Sequence, residues 1–141
     1  MKTAGDILIV DDESDIRLLI GATLRDEGFT TMEAASAMEA RDLLAAKPPG
    51  LAILDIWMRD SDMDGLELLE WVKSVYPEVP VLMISGHGTV ETAVQAIRNG
   101  AYDFIEKPFK EDRLLLMVQR AFEASRLERE NAELRARVSE E

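Results

Sequence analysis

Short apolar runs alternate with helical patterns five times along this chain. The runs lie near 6–10, 30–34, 51–54, 80–84 and 102–106. Apolar residues at three- and four-residue spacing follow each run, as an amphipathic helix requires. Ile16, Leu19, Ile20, Thr23 and Leu24 form one stripe, and Gly28 ends that helix. A weaker helical pattern over 37–46 stops at Pro48-Pro49-Gly50. Leu68, Leu69, Val72 and Val75 form a stripe closed by Pro77; Val90, Ala93, Val94 and Ile97 form another that ends at Asn99-Gly100. Strand–helix alternation with short connections predicts a parallel sheet covered on both faces. Right-handed crossovers leave few topologies. The expected fold is α/β: a doubly wound five-stranded parallel sheet, flavodoxin-like, in the order 2-1-3-4-5.

The last segment has a different pattern. From Glu111 onward there is neither glycine nor proline. Leu114, Met117, Val118 and Ala121 make a core-facing stripe, and Ala124, Leu127, Asn131, Leu134 and Val138 then follow an a/d heptad pattern among Glu and Arg. This predicts one extended C-terminal helix. Residues 1–123 would form the domain, and 124–141 a helical linker able to pair as a two-stranded coiled coil. Asn131 at an a position would favour a defined register.

Composition narrows the function. The chain has 141 residues, 47% of them apolar, enough for one domain with its own core. No apolar run reaches the roughly 18 to 20 residues of a membrane span. The first residues do not form a signal peptide, and with no cysteine there is neither a disulfide framework nor a thiolate metal site. A cytoplasmic location is expected. The net charge of −12 disfavours nucleic acid and anionic membranes as partners of this segment. Most of the 28 acidic residues are expected to be solvated surface.

Asp11, Asp12 and Asp55 are different, because they sit at strand ends. The run 6–10 stops at Asp11-Asp12-Glu13, the run 51–54 at Asp55, and the run 102–106 at Lys107. In an open parallel sheet, ligands bind at the carboxyl ends of the strands. Several carboxylates gathered there call for a neutralising cation. A hard cation such as Mg²⁺ takes oxygen ligands. A carboxylate at Asp55 can accept a phosphoryl group and form an acyl phosphate. Ser85, ending the fourth strand, and Lys107 are suited to hold its oxygens. Alone, each residue has an ordinary structural reading: Asp11-Asp12 as helix caps, with Ser14 and Asp15 also available for that role. Four of five strands ending in compatible chemistry is the stronger signal.

These residues resemble the receiver domain of two-component response regulators. The resemblance covers about 5–123. It runs through Ile9-Val10-Asp11-Asp12-Glu13, Leu54-Asp55, Asp64-Gly65, Ser85-Gly86 and Lys107-Pro108-Phe109. The stretch 83–109 looks especially like the nitrogen-regulation group, NtrC and NtrX. The resemblance implies that Asp55 is the phosphoacceptor for a histidine kinase. It implies Mg²⁺ on Asp11, Asp12, Asp55 and the backbone carbonyl of Trp57. Ser85 and Lys107 would read the phosphoryl group, Phe104 would be the switch aromatic, and the Lys107–Pro108 bond would be cis. It further implies a homodimer through the fourth helix, fifth strand and fifth helix. In a longer protein, the output would be an ATPase and a DNA-binding domain for transcription control. The domain would be a signalling switch with slow self-dephosphorylation, not an enzyme.

Two departures stand out. The loop 56–64 is about two residues longer than usual and has no proline, which favours the NtrX-like branch. Phe104 stands where tyrosine is frequent, so its rotation would be driven by packing alone. His87, between two glycines, reads as a loop residue or as a modulator of water access. Gly86-His87-Gly88 lacks the full dinucleotide fingerprint. Two other functions compete. A phosphatase of the haloacid dehalogenase type would place its nucleophile after the first strand, in an Asp-x-Asp pattern. A constitutive dimerisation module with a relic site would rest on the heptads.

Overall fold

The computed structural model describes residues 5–59, 62–86 and 88–140, without the side chains of 138–140. The reading of His87 and the heptad place of the Val138 side chain fall outside the described residues, as do Asp60 and Ser61 in the loop 56–64.

Five strands form one parallel sheet: β1 (Asp6–Val10), β2 (Thr30–Ala34), β3 (Leu51–Asp55), β4 (Val81–Ser85) and β5 (Asp103–Glu106). Their spatial order is β2-β1-β3-β4-β5, as the alternation predicts. The central strands β3 and β4 are buried along their whole length, as expected for a sheet covered on both sides. Alternate residues supply two separate cores. Ile7, Ile9, Ile53 and Ile84 pack with α1 (Ser14–Asp26) and the start of α5 (Glu111–Glu140). Leu8, Val10, Leu54 and Met83 pack with α2 (Ala37–Ala46), α3 (Gly65–Val75) and α4 (Val90–Arg98). The period of two along each strand thus assigns α1 and α5 to one face and the other helices to the opposite face.

Two helices depart from their expected orientation or capping. In α4 the stripe Val90, Val94 and Ile97 points to solvent, at 81, 43 and 47% exposure, and Ala96 is the buried residue. Periodicity shows that a helix has an apolar face without saying what covers it. Here the small side chain of Ala96 meets the core, and the branched residues turn outward. In α1 the N-cap is Glu13, whose side chain makes no capping bond, and Ser14 and Asp15 lie within the helix.

The helix α5 runs unbroken from Glu111 to Glu140. Leu114, Met117, Val118 and Ala121 are buried as expected. Ser125 is also buried, and its hydroxyl donates to the carbonyl of Glu78 at 3.4 Å. Beyond it, Leu127 and Leu134 are more than half exposed.

Candidate functional site

All strands run in one direction, so their carboxyl ends lie along one edge. Val10 pairs with Leu54, Asp55 with Ile84, and Ser85 with Glu106. The residues just past those pairs therefore converge. Oxygens of Asp11, Asp12 and Asp55 lie within 4.8 Å of one another. Lys107 Nζ is 2.9 Å from Asp11 Oδ2 and 3.6 Å from Asp55 Oδ1. Asp12, Glu13, Asp55, Trp57, Arg59, Gly86 and Lys107 line a cleft of about 340 Å³.

Each carboxylate is held differently. Asp11 is fully buried; its Oδ1 accepts the Glu13 N–H at 2.9 Å. Asp12 is partly exposed, and its Oδ2 accepts the Arg59 N–H at 2.8 Å. Asp55 is nearly buried. Its backbone is fixed by β3 and by the following Ile56 N–H, which donates to Ile84 O at 3.0 Å. Gly65 makes this packing possible. A Cβ there would lie 2.0 Å from the Asp55 carbonyl oxygen and 2.6 Å from Ile56 Cα. The Gly65 N–H closes the loop 56–64 by donating to Ile56 O at 2.8 Å. Asp64 and Glu67 then start α3 with reciprocal capping bonds.

Burial, and then the negative charge of Asp11, pushes the Asp55 carboxyl up to about 7. Burial also raises Asp11. Burial by itself would lower Lys107, but its bond to Asp11 and the charges of Asp55, Asp11 and Glu13 outweigh that effect and raise it. The lysine therefore stays cationic. One ammonium faces three carboxylates, leaving the donor set short of positive charge. Clustered hard oxygens of this kind suit a divalent cation such as Mg²⁺.

Every residue predicted for the site except Phe104 lies at this edge, on or just beyond the strand ends. Ser85 is fully buried at the end of β4, and its carbonyl accepts the Lys107 N–H at 2.9 Å. Trp57 is about half exposed at the rim. Phe104 lies in β5, half-buried, with its ring over Gly88: a Cβ on that glycine would sit 2.5 Å from the ring. The Lys107–Pro108 bond is cis. The sequence reading gave no role to Glu13, which takes a 3.4 Å contact from Lys107, or to Arg59, which holds Asp12. The acidic triplet signalled Glu13; nothing local marked Arg59.

The family profile described as the response regulator receiver domain matches residues 7–119. The nitrogen assimilation regulatory protein NtrX of Azorhizobium caulinodans is 56% identical over 132 residues, covering 94% of this chain and 29% of that protein. The chain thus spans less than a third of the length of the curated relatives it matches. The crystal structure of the receiver domain of NtrX from Brucella abortus superposes with a TM-score of 0.82 at 57% identity, covering 84% of this chain and 98% of that one. The solution structure of the beryllofluoride-activated NtrC4 receiver domain dimer gives a TM-score of 0.80 at 39% identity, covering 85% and 98%.

Proposed function

This chain belongs to the response regulator receiver domain family, of the NtrX/NtrC type, and we propose that Asp55 is its phosphoacceptor. The observation that carries the reading is the meeting of Asp11, Asp12 and Asp55 within 4.8 Å, with Lys107 in reach of Asp55. The donor would be a phosphohistidine on a partner kinase. An Asp55 carboxylate oxygen attacks phosphorus in line, an acyl phosphate O–P bond forms, and the donor's P–N bond breaks. The departing imidazole takes a proton from solvent.

Asp11, Asp12, Asp55 and the Trp57 carbonyl would hold Mg²⁺, which when bound offsets negative charge on the transferring group. The remaining work falls to the chain's own groups. Lys107 neutralises one phosphoryl oxygen, exchanging its contact with Asp11 for the new anion. Ser85 donates its hydroxyl to another. Burial of Asp55 limits access of water to the acyl phosphate, so self-dephosphorylation is slow.

The switch would follow from the Ser85 shift. The segment after β4 moves toward the phosphoryl group, the ring of Phe104 repacks, and the surface of α4, β5 and α5 changes. Val94, Ile97, Tyr102 and Leu116 are exposed on or beside these elements and supply apolar area for a symmetric homodimer. The segment 124–141 acts as a helical linker toward an output domain, with transcription control as the whole protein's task. A cytoplasmic location fits this role; among the described residues, no helix is long and apolar enough to cross a membrane. A second reading, constitutive pairing through α5, is favoured by the exposure of Leu127 and Leu134.

Intact mass after incubation with acetyl phosphate tests the central claim. Wild type should gain one phosphoryl group only with Mg²⁺, and Asp55→Asn none. An adduct of the same size on Asp55→Asn would overturn the assignment.

A further inference from the structure

The lengthened loop between β3 and α3 carries two parts of the proposed magnesium site. One is the Trp57 carbonyl. The other is the Arg59 N–H, which holds Asp12 Oδ2 at 2.8 Å. The ends of the loop are fixed where Gly65 N–H meets Ile56 O. Its sequence has no proline to restrict the backbone between them. On its far limb, Asp62 pairs with Arg41 of α2. The backbone of Arg41 is itself held, because Ala40 and Leu44 bury α2 against the sheet. The loop is thus tied on one limb to a metal-binding carboxylate and on the other to a rigid helix.

We infer that Arg41 is a positioning residue for the metal site, acting through Asp62 to hold the limb of the loop from which the Trp57 carbonyl completes the ligand set and the Arg59 N–H orients Asp12. The inference rests on the reading of Asp11, Asp12 and Asp55 as magnesium ligands. The pair is about one-third exposed on both sides, so its contribution is that of a surface ion pair. Its partners are 21 residues apart in sequence. Ordering a segment in advance lowers the conformational entropy lost on binding.

A purely electrostatic role gives the opposite sign for one partner. Removing the Arg41 charge leaves the site more negative, which by itself tightens Mg²⁺ binding. Removing the Asp62 charge loosens it. If the pair acts by holding the loop, both removals loosen binding.

The test is a Mg²⁺ titration followed by Trp57 fluorescence in a Trp71→Phe background, so that one tryptophan reports. Arg41→Met and Asp62→Asn should each weaken binding by about 2- to 5-fold, the range of an exposed ion pair. The double variant should be no worse than either single one. The exchanged pair, Arg41→Asp with Asp62→Arg, should regain wild-type affinity. Unchanged or tighter binding by Arg41→Met would overturn the inference, as would single effects that add in the double variant. A wild-type protein whose fluorescence and melting temperature both ignore Mg²⁺ would overturn the magnesium reading itself, and this inference with it.

Discussion

At the scale of the residue, Asp55 sets a conflict between folding and its proposed role. Its carboxyl ionises near 3.8 in the unfolded chain and at about 7 in the fold, because it is buried beside Asp11. Between those values the folded state holds the extra proton. Stability therefore falls as pH rises through this window and reaches its low value above about 7. Asp55→Asn removes the buried charge. In EDTA at pH 8, urea unfolding should find the variant more stable than wild type by on the order of 2 kcal/mol, and the gap should shrink toward pH 5. A gap of equal size at both pH values would show that Asp55 does not titrate in this range. Saturating Mg²⁺ should reduce the gap at pH 8 by stabilising wild type more than the variant, which lacks one charged ligand.

Gly65 is a second residue whose role is geometric. The atoms that a Cβ would strike, Asp55 O and Ile56 Cα, belong to the backbone and cannot swing aside. Gly65→Ala should cost about 2 to 4 kcal/mol in unfolding free energy and abolish the Mg²⁺ response, because the end of β3 must move. Gly28 is the control. It has φ +92 with nothing within 4 Å of a Cβ. Its alanine variant should cost only about 1 kcal/mol and leave Mg²⁺ binding intact.

At the scale of the element, α4 and β5 form a lightly anchored pair. The one fully buried side chain of α4 is Ala96. The ring of Phe104 reaches past β5 to Gly88, just before α4 begins. An element held by so little apolar burial can shift at small cost, which suits it to a switch. The same exposure that turns the α4 stripe away from the core gives this face its apolar surface. Much of the rest was legible. Strand positions, the order of the sheet and the stripe of α5 follow from periods of two and 3.6 with their stop signals. The outward turn of Val90, Val94 and Ile97 did not, because an apolar stripe has no label for inside.

At the scale of the whole molecule, α5 is both a wall of the core and a projecting rod. Its 30 residues span about 45 Å at 1.5 Å each. Ser125 is the last point of burial among the described residues, and Leu127 and Leu134 lie one heptad apart on the free part. An isolated helix this polar gains little by folding alone, so pairing with a second copy is its natural support. If α5 pairs on its own, as in the second reading, light scattering at tens of micromolar protein without phosphodonor should detect a dimer that Leu127→Asp with Leu134→Asp converts to monomer, without lowering the melting temperature of the domain. A wild-type monomer under those conditions, with and without phosphodonor, would remove pairing from the proposed function.

The chain by itself determined that Asp11, Asp12, Asp55, Ser85 and Lys107 would come together. Convergence at one edge is a property of parallel strands, and each of these residues ends or follows a recognisable run. Tertiary structure decided the pairing within the cluster: Lys107 on Asp11 before Asp55, Arg59 on Asp12, Arg41 on Asp62. It also decided how close Gly65 comes to Asp55 and which side of α4 meets the sheet. Periodicity is local and survives in the sequence. Contacts between loops and helices far apart along the chain depend on how the packed layers settle, and no spacing of residue types encodes that distance.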